Sequence, residues 1–357
     1  MNNIILKYTI ELLSPTIISS DEHQKGMLYK SGSQIIPGSM VKGAIMSQLY
    51  LEKQIGLDKI NVERENGSIR ITPAVYSTDK RHSLYKEIKI AHALTYYFKK
   101  SKEVKSYPLN HLLNATSFID ELERILYESN KKLDQEALKL SEEYEMWLSS
   151  ETKPAQGKVI EKRENSWVII DAKRDVYLEN EIHSNRKAAK PGKLYAYETI
   201  RQGEVFTGYV SIPENFRDIF RNELSVRIGR GIGRGFGHAR ITFEELKIQE
   251  KQLTQKRIPF VVIAPTFKLD PLPRPLRAGD KVGDIKIVCV ITRIGEEVYR
   301  GWSYFTKSPK LPIRANALGT IFIGETETTK LENYAYMGFD YYGSSGFNII
   351  APLIEGE

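Results

Sequence analysis

Residues 227 to 240 read Arg-Ile-Gly-Arg-Gly-Ile-Gly-Arg-Gly-Phe-Gly-His-Ala-Arg. Gly229, Gly231, Gly233, Gly235 and Gly237 take alternate positions, bracketed by Arg227, Arg230, Arg234 and Arg240, with no acid between them. Such a run cannot hold a regular helix or strand, because glycine keeps the backbone free and gives nothing to pack. It predicts a turn of positive-φ residues whose main chain a ligand can approach closely. Consecutive N–H groups in such a turn form an anion-binding concavity, and the four arginines match it to phosphate. The Gly-Lys-Ser/Thr ending of a P-loop is missing. A dinucleotide fingerprint is excluded too, because Ala239 to Phe243 reads as a strand where a helix should follow. A tight loop crossing a helix is the other reading of the same residues.

The net charge of +7 is modest for 357 residues, so its distribution matters more than its sum. Arg186 to Lys193 adds four basic residues without an acid, whereas Ser117 to Ser150 carries nine acidic and four basic residues. Basic loops beside an acidic segment suit a polyanion partner, or serve as surface charge for solubility. The lone Cys289 excludes a disulfide scaffold and a four-cysteine zinc site. None of the histidines His23, His82, His92, His111, His183 and His238 has metal-ligand spacing, and no metal or cofactor is expected. No apolar run reaches the ~18 residues of a membrane span, so no membrane is expected as a partner. Met1 to Leu13 lacks a basic leader and a cleavage site, and the expectation is a cytoplasmic protein.

Along the chain, Ile4 to Leu13 predicts a strand. Pro37-Gly38-Ser39 predicts a helix start capped by Ser39, with Val41, Ala44, Ile45 and Leu49 on the apolar face of Met40 to Lys53. Ser39 and Lys42 at that N-terminus could grip a phosphate, though many helices begin this way for capping alone. Asn66 to Tyr76 reads as strand and turn, Ser83 to Phe98 as helix, and Ser117 to Ser150 as a helical hairpin turning near Ser129-Asn130. Ser166 to Asp171 is a strand, and Arg174 to Lys193 is polar and too long for an ordinary loop. Tyr195 to Ile212 reads as two strands broken at Gln202-Gly203, and Pro213 to Leu224 as a helix. After a polar linker at Glu250 to Lys256 come strands at Phe260 to Leu269, Asp284 to Ile294, Leu318 to Gly324 and Asn348 to Leu353.

The first-half order of strand, helix, strands, helix, glycine-rich turn and strand predicts an α+β, ferredoxin-like unit. It covers residues 1–250 with a mostly helical insertion at about 77–165. A second, degenerate copy is expected at 257–357. In the first loop, His23 beside Asp21 and Glu22 offers a general acid or base, and Asp21 a group near a scissile phosphate. Both also suit an exposed loop without a catalytic role.

Three ordered motifs then resemble the RAMP (repeat-associated) superfamily of CRISPR effector proteins. They are Ile36-Pro37-Gly38-Ser39-x-x-Lys42-Gly43, Glu198-x-x-x-x-Gly203-x-x-Phe206-x-Gly208, and the glycine-rich run Gly229 to Gly237 before a strand. The resemblance implies RNA-recognition-like units whose glycine-rich loop and helix start contact guide RNA (crRNA). It likens Arg186, Lys187, Lys190 and Lys193 to a thumb-like hairpin that pins the guide. The tail, with Arg300-Gly301-Trp302 and Asn316-Ala-Leu-Gly319, resembles the large type III-D subunit. The implied function is a non-catalytic RNA-binding subunit of a type III CRISPR complex, near the guide's 5′ handle, with other effector subunits as partners. The alternatives are a subunit at the guide's 3′ end, or a metal-independent CRISPR-repeat endoribonuclease using His23. Ser20-Asp21-Glu22-His23-Gln24 departs from the Gly-Asp-Asn-Pro-like context of target-cleaving subunits, so no catalytic residue is expected.

Overall fold

The computed structural model describes residues 3–25, 28–31, 34–107, 113, 124–125, 145–146, 149–182, 189–221, 223–246, 256–300, 302–303, 308–309, 311–326 and 331–353. They belong to two compact units. Met1–Leu84 and Ile170–Leu246 make the first, and Tyr85–Ile169 and Lys247–Glu357 make the second.

Among the described residues, the first unit is organised round a seven-stranded sheet. Its order is Leu224–Arg227, His238–Glu245, Asn3–Leu12, Val205–Pro213, Ala74–Ser77 and Ile35–Ile36, with Arg70–Ile71 also on Val205–Pro213. Asn3–Leu12 is central because it can be buried along most of its length: Tyr8, Ile10 and Leu12 are wholly inaccessible. It runs antiparallel to both neighbours, with Tyr8 opposite Gly208 on one side and Phe243 on the other. The helix Gly38–Leu51 buries Val41, Ala44, Ile45 and Leu49, the face its periodicity predicts. It leaves one edge strand, Ile35–Ile36, and packs against the opposite edge, Leu224–Arg227. A further helix, Leu57–Asn66, ends on Gly67 in the left-handed region. The expected helix at Pro213 to Leu224 is replaced by two short 3-10 turns, Glu214–Phe216 and Ile219–Arg221. Between Glu214 and Phe220 only Phe220 is buried among the described residues, and one anchor does not make an apolar stripe.

The second motif is explained by this sheet. Phe206 is buried against Tyr76, and Gly203 turns the chain at φ +88° while donating its N–H to the Leu12 carbonyl at 2.7 Å. Gly208 lies under the Tyr8 phenol, whose hydroxyl donates to the Thr72 carbonyl at 2.7 Å. Glu198 holds Arg174 at 2.7 Å across a second sheet of the same unit. That four-stranded sheet runs Arg174–Ile182, Ala189–Ile200, Leu28–Ser31, Ser19–Lys25. The polar stretch from Arg174 is therefore one arm of a long antiparallel hairpin, with Arg174 opposite Ile200 and Ile182 opposite Ala189.

In the second unit a six-stranded antiparallel sheet runs Thr152–Pro154, Thr95–Phe98, Glu103–Ser106, Ser166–Ile169, Val159–Arg163, Ile88–Ile90. Ser83 to Phe98 is thus not helical but holds two strands. The apolar spacing fits a helix, yet Thr95-Tyr96-Tyr97-Phe98 are β-formers and their pairing wins. A five-stranded sheet follows the order Lys281–Val282, Ile285–Ile291, Ile321–Glu325, Arg257–Val262, Ile350–Pro352. Residues 85–169 and 247–357 share one core, where Leu94, Tyr96 and Tyr107 meet Cys289, Ile291, Ile321 and Ile323. Gln156 stitches it: its amide donates to the Leu318 carbonyl at 3.1 Å and its carbonyl accepts from the Arg293 N–H at 2.6 Å. Arg124–Ile125 and Glu145–Met146 are helical. Of the rest of the helical hairpin expected at Ser117 to Ser150, Ser149 and Ser150 are not helical and the remainder lies outside the described residues.

Candidate nucleic-acid interface

The glycine-rich run joins two antiparallel strands, Leu224–Arg227 and His238–Glu245, at the end of the sheet where Leu12 lies opposite Ala239. Three of its glycines are demanded by the fold. At Gly229 (φ +88°) a β-carbon would meet the Ile17 carbonyl oxygen; at Gly231 (φ +73°) it would meet the Phe236 ring at 2.8 Å; at Gly237 (φ +75°) it would meet the Ile228 carbonyl oxygen. Gly235 is left-handed at φ +91° with open space beside it, and Gly233 has open space without a positive φ. The loop is pinned from below. Arg230 N–H donates to the Ile17 carbonyl at 2.9 Å, and Gly237 N–H to the Pro15 carbonyl at 3.0 Å. Between these pins lies a 3-10 turn, Ile232–Arg234. The N–H groups of Arg234 and Gly235 close it, on the carbonyls of Gly231 and Ile232. The consecutive N–H groups of Gly231, Ile232 and Gly233 have no acceptor among the described residues.

Charge surrounds this nest. Arg227 and Arg230 are exposed and form no ion pair among the described residues. Arg240 has only Glu223, at 3.9 Å, among the described residues. Arg234 donates to the Tyr197 hydroxyl at 2.6 Å and stands 5.5 Å from that ring's centroid. Phe236 packs edge-on against Tyr177 at 5.6 Å and tilted against Tyr197 at 6.4 Å. Tyr177 and Tyr197 are directly opposite in the hairpin, so two aromatic rings and the loop's Phe236 form one cluster beside the unpaired N–H groups. Sequence reasoning misses Tyr177, Tyr197 and Phe236 as site residues. Their signal is the alternation of tyrosines at 195 and 197 on a strand already carrying the Glu198 motif.

A model of the RAMP superfamily matches residues 9–240, well over half of the chain. The chain belongs to the RAMP superfamily. Among solved structures it is similar to a chain of the type III-B Cmr-beta complex bound to cognate target RNA, at 13% identity and TM-score 0.48, covering 96% of each chain. It is similar to a chain of the same complex bound to cognate target RNA and AMPPnP, at 14% identity and TM-score 0.45, covering 89% of this chain and 86% of that one. It also resembles oligomeric Cmr4 from Pyrococcus furiosus, at 13% identity and TM-score 0.29, covering 68% of this chain and 99% of that one. No curated protein matches it.

Ser39 is exposed but lies inside the helix, whose N-cap is Pro37 without a side-chain cap bond, so the expected Ser39 cap is not formed. Pro37 takes that place because its fixed φ suits the entry and its carbonyl accepts from Met40 at 2.9 Å. Lys42 points inward: its ammonium is 2.8 Å from Glu63 and 2.8 Å from the Ile69 carbonyl. Burial pushes the Lys42 pKa down, against the raising pull of Glu63. Glu63 in turn accepts from Ser68 and from the Ile69 N–H at 2.8 Å. The helix start and the glycine-rich loop leave from opposite edges of the sheet.

Arg186 and Lys187 lie outside the described residues. Lys190 and Lys193 stand on the strand Ala189–Ile200, and Asp21 and His23 on the strand Ser19–Lys25. Among the described residues no group of three His, Cys, Asp or Glu side chains is placed to hold a metal. No described helix is long and apolar enough to cross a membrane.

Proposed function

We propose that this RAMP chain is a non-catalytic RNA-binding subunit of a type III CRISPR effector complex, acting in the cytoplasm with other effector subunits. The observation that carries the reading is the nest at Gly231, Ile232 and Gly233, with Arg227 and Arg230 unpaired beside it among the described residues. Three consecutive N–H donors and unpaired guanidiniums suit phosphate oxygens, which carry position but no sequence. The guide backbone is the occupant that family membership favours. The basic residues Arg186, Lys187, Lys190 and Lys193 are assigned to the same strand of RNA, and exposed Ser39 to a separate contact. Arg234 and the Tyr177, Tyr197 and Phe236 rings supply a surface on which a base stacks.

The strand order of the first unit supports a ferredoxin-like reading. The last strand, the first, Val205–Pro213 and Ala74–Ser77 stand side by side and antiparallel, as a β-α-β-β-α-β chain requires. The position near the guide's 5′ handle rests on the resemblance of the tail to the large type III-D subunit.

Filter binding of the purified chain to guide RNA tests the reading, with a parallel incubation of repeat RNA in EDTA. Saturable binding with intact RNA is the expected result. Cleavage that disappears in His23→Ala would replace it with the endoribonuclease reading, and no retention of RNA would end it.

A further inference from the structure

On one face of the six-stranded sheet of the second unit Tyr96 and Phe98 pack into the core shared with Cys289 and Ile291; on the other, Tyr97, Val104 and Ile160 form a small buried cluster with Ala91 and Ala155, and lysines stand at its margin. Residues directly opposite on neighbouring strands share a face. One continuous row therefore crosses five strands: Lys153 opposite Tyr97, Tyr97 opposite Val104, Val104 opposite Trp167, and Trp167 opposite Lys162. Lys89 stands on the sixth strand, opposite Ile160. At ~4.8 Å between strands the row is roughly 19 Å long. Tyr96 and Phe98, on alternate positions, face the opposite side of the sheet, into the core with Cys289 and Ile291.

Aromatic rings lie beside three of the lysines near this face. Lys89 lies 4.9 Å from the centroid of Trp167, and Lys102 and Lys158 lie 5.4 and 5.8 Å from that of Tyr97. Lys102, Lys153, Lys158 and Lys162 pair with no acid among the described residues. The nearby acids alternate away: Glu103 stands opposite Val168, as does Glu161, which is buried and faces Arg163. A salt bridge would fix a lysine by cancelling its charge. A ring fixes it and leaves the charge in place. Lys102 and Lys158 are held in this way, and with Lys153 and Lys162 they make four lysines whose charge no described carboxylate offsets, with the partly buried Trp167 beside Lys89 and opposite Lys162.

We propose that this face is a second RNA-binding surface, taking the backbone of a single strand along the lysine row with Trp167 as the ring against which a base stacks. The proposal rests on the reading of the chain as an RNA-binding subunit and adds a site that the glycine-rich loop does not include. The uncompensated positive charge selects a polyanion, and the exposed part of an indole selects one with planar bases.

The test is ultraviolet crosslinking of the full chain to guide RNA with peptide mapping, joined to binding measurements on Lys102→Gln/Lys158→Gln/Lys162→Gln. Crosslinks are expected in peptides covering 88–106 or 153–169. Made in an Arg230→Ala/Arg234→Ala background, the triple variant should lower the slope of log K against log salt by roughly 2 more, at ~0.7 per single-strand phosphate. Crosslinks confined to 227–240 with an unchanged slope would overturn this surface and leave the loop reading standing. Failure of the unsubstituted chain to bind RNA would overturn both. Competition by polyglutamate as effective as that by RNA would overturn the assignment of the partner. The crosslink map uses the unsubstituted protein, so the proposal stays testable if the variant misfolds.

Discussion

The guanidinium of Arg234 rests on Tyr197: one N–H donates to the phenol oxygen at 2.6 Å, and the group stands 5.5 Å from the ring centroid. The contact joins a loop residue to a hairpin residue of the same unit. It fixes one of the loop's long cationic side chains beside the unpaired N–H groups of Gly231 to Gly233. On the proposed reading, Arg234 would meet a phosphate with part of its side-chain entropy already spent, which is the advantage of preorganisation.

Removing the loop's charge should weaken RNA binding without changing its sequence preference. In Arg230→Ala/Arg234→Ala the slope of log K against log salt should flatten by about 1.4, taking ~0.7 for each single-strand phosphate no longer neutralised. Fluorescence anisotropy over a salt series checks this. Unchanged affinity and slope would reduce the loop to a fold-closing turn.

The loop's glycines should divide into two kinds. Gly237→Ala forces a side chain to positive φ against the Ile228 carbonyl and should cost ~2 kcal/mol or more in urea unfolding. Gly233→Ala meets nothing and has no positive φ, so stability should hold while RNA affinity falls, because the added methyl keeps the phosphate from the backbone. Equal destabilisation by both would contradict the division.

Lys42 should matter to folding. Its side chain is 16% exposed and that of Glu63 only 3%, so Lys42→Met strands a buried carboxylate and should cost about 3 kcal/mol. Adding Glu63→Leu should recover much of that loss. If Lys42→Met instead lowered the salt slope of RNA binding with stability intact, the inward placement would not describe the working state.

The second unit should lose stability in mild acid through His92. Burial, then the nearby charge of Lys89, pushes its pKa down to about 4. An unfolded histidine titrates near ~6.5, so between these values the unfolded chain binds the extra proton. Stability is whole above the unfolded value and falls with pH through that window, by about 3 kcal/mol at its lower end. His92→Gln should flatten this dependence in thermal melts between neutral pH and the lower end. An identical pH profile in the variant would refute the assignment.

Much of the first unit was legible because its constraints are local. A run of five alternating glycines admits few structures, and Gln202-Gly203 marks a break between strands; the close approach of Tyr8 to Gly208 depends on the pairing of distant strands. The second unit was less so. Ser83 to Phe98 satisfies a helical period, and only pairing with strands far along the chain makes Thr95 to Phe98 extended. The inward turn of Lys42 depends on Glu63, which sits on a helix that no apolar periodicity announces. The aromatic cluster at Tyr177, Tyr197 and Phe236 needs a register between distant strands. The lysine row depends on the register of five strands at once.

The first strand has a consequence for how the chain is made. Asn3–Leu12 is translated before every other described strand, yet its partners begin only at Val205 and end at Glu245. Most of the polypeptide must be translated before that strand can be sealed on either side. Closure across so long a loop is slow. During elongation the apolar residues of Asn3–Leu12 are consequently exposed to chaperones and to other nascent chains. Truncation anywhere before Glu245 leaves the sheet without its full centre. Yield in a heterologous host should therefore respond to the speed of translation more than to the temperature at which the finished protein melts.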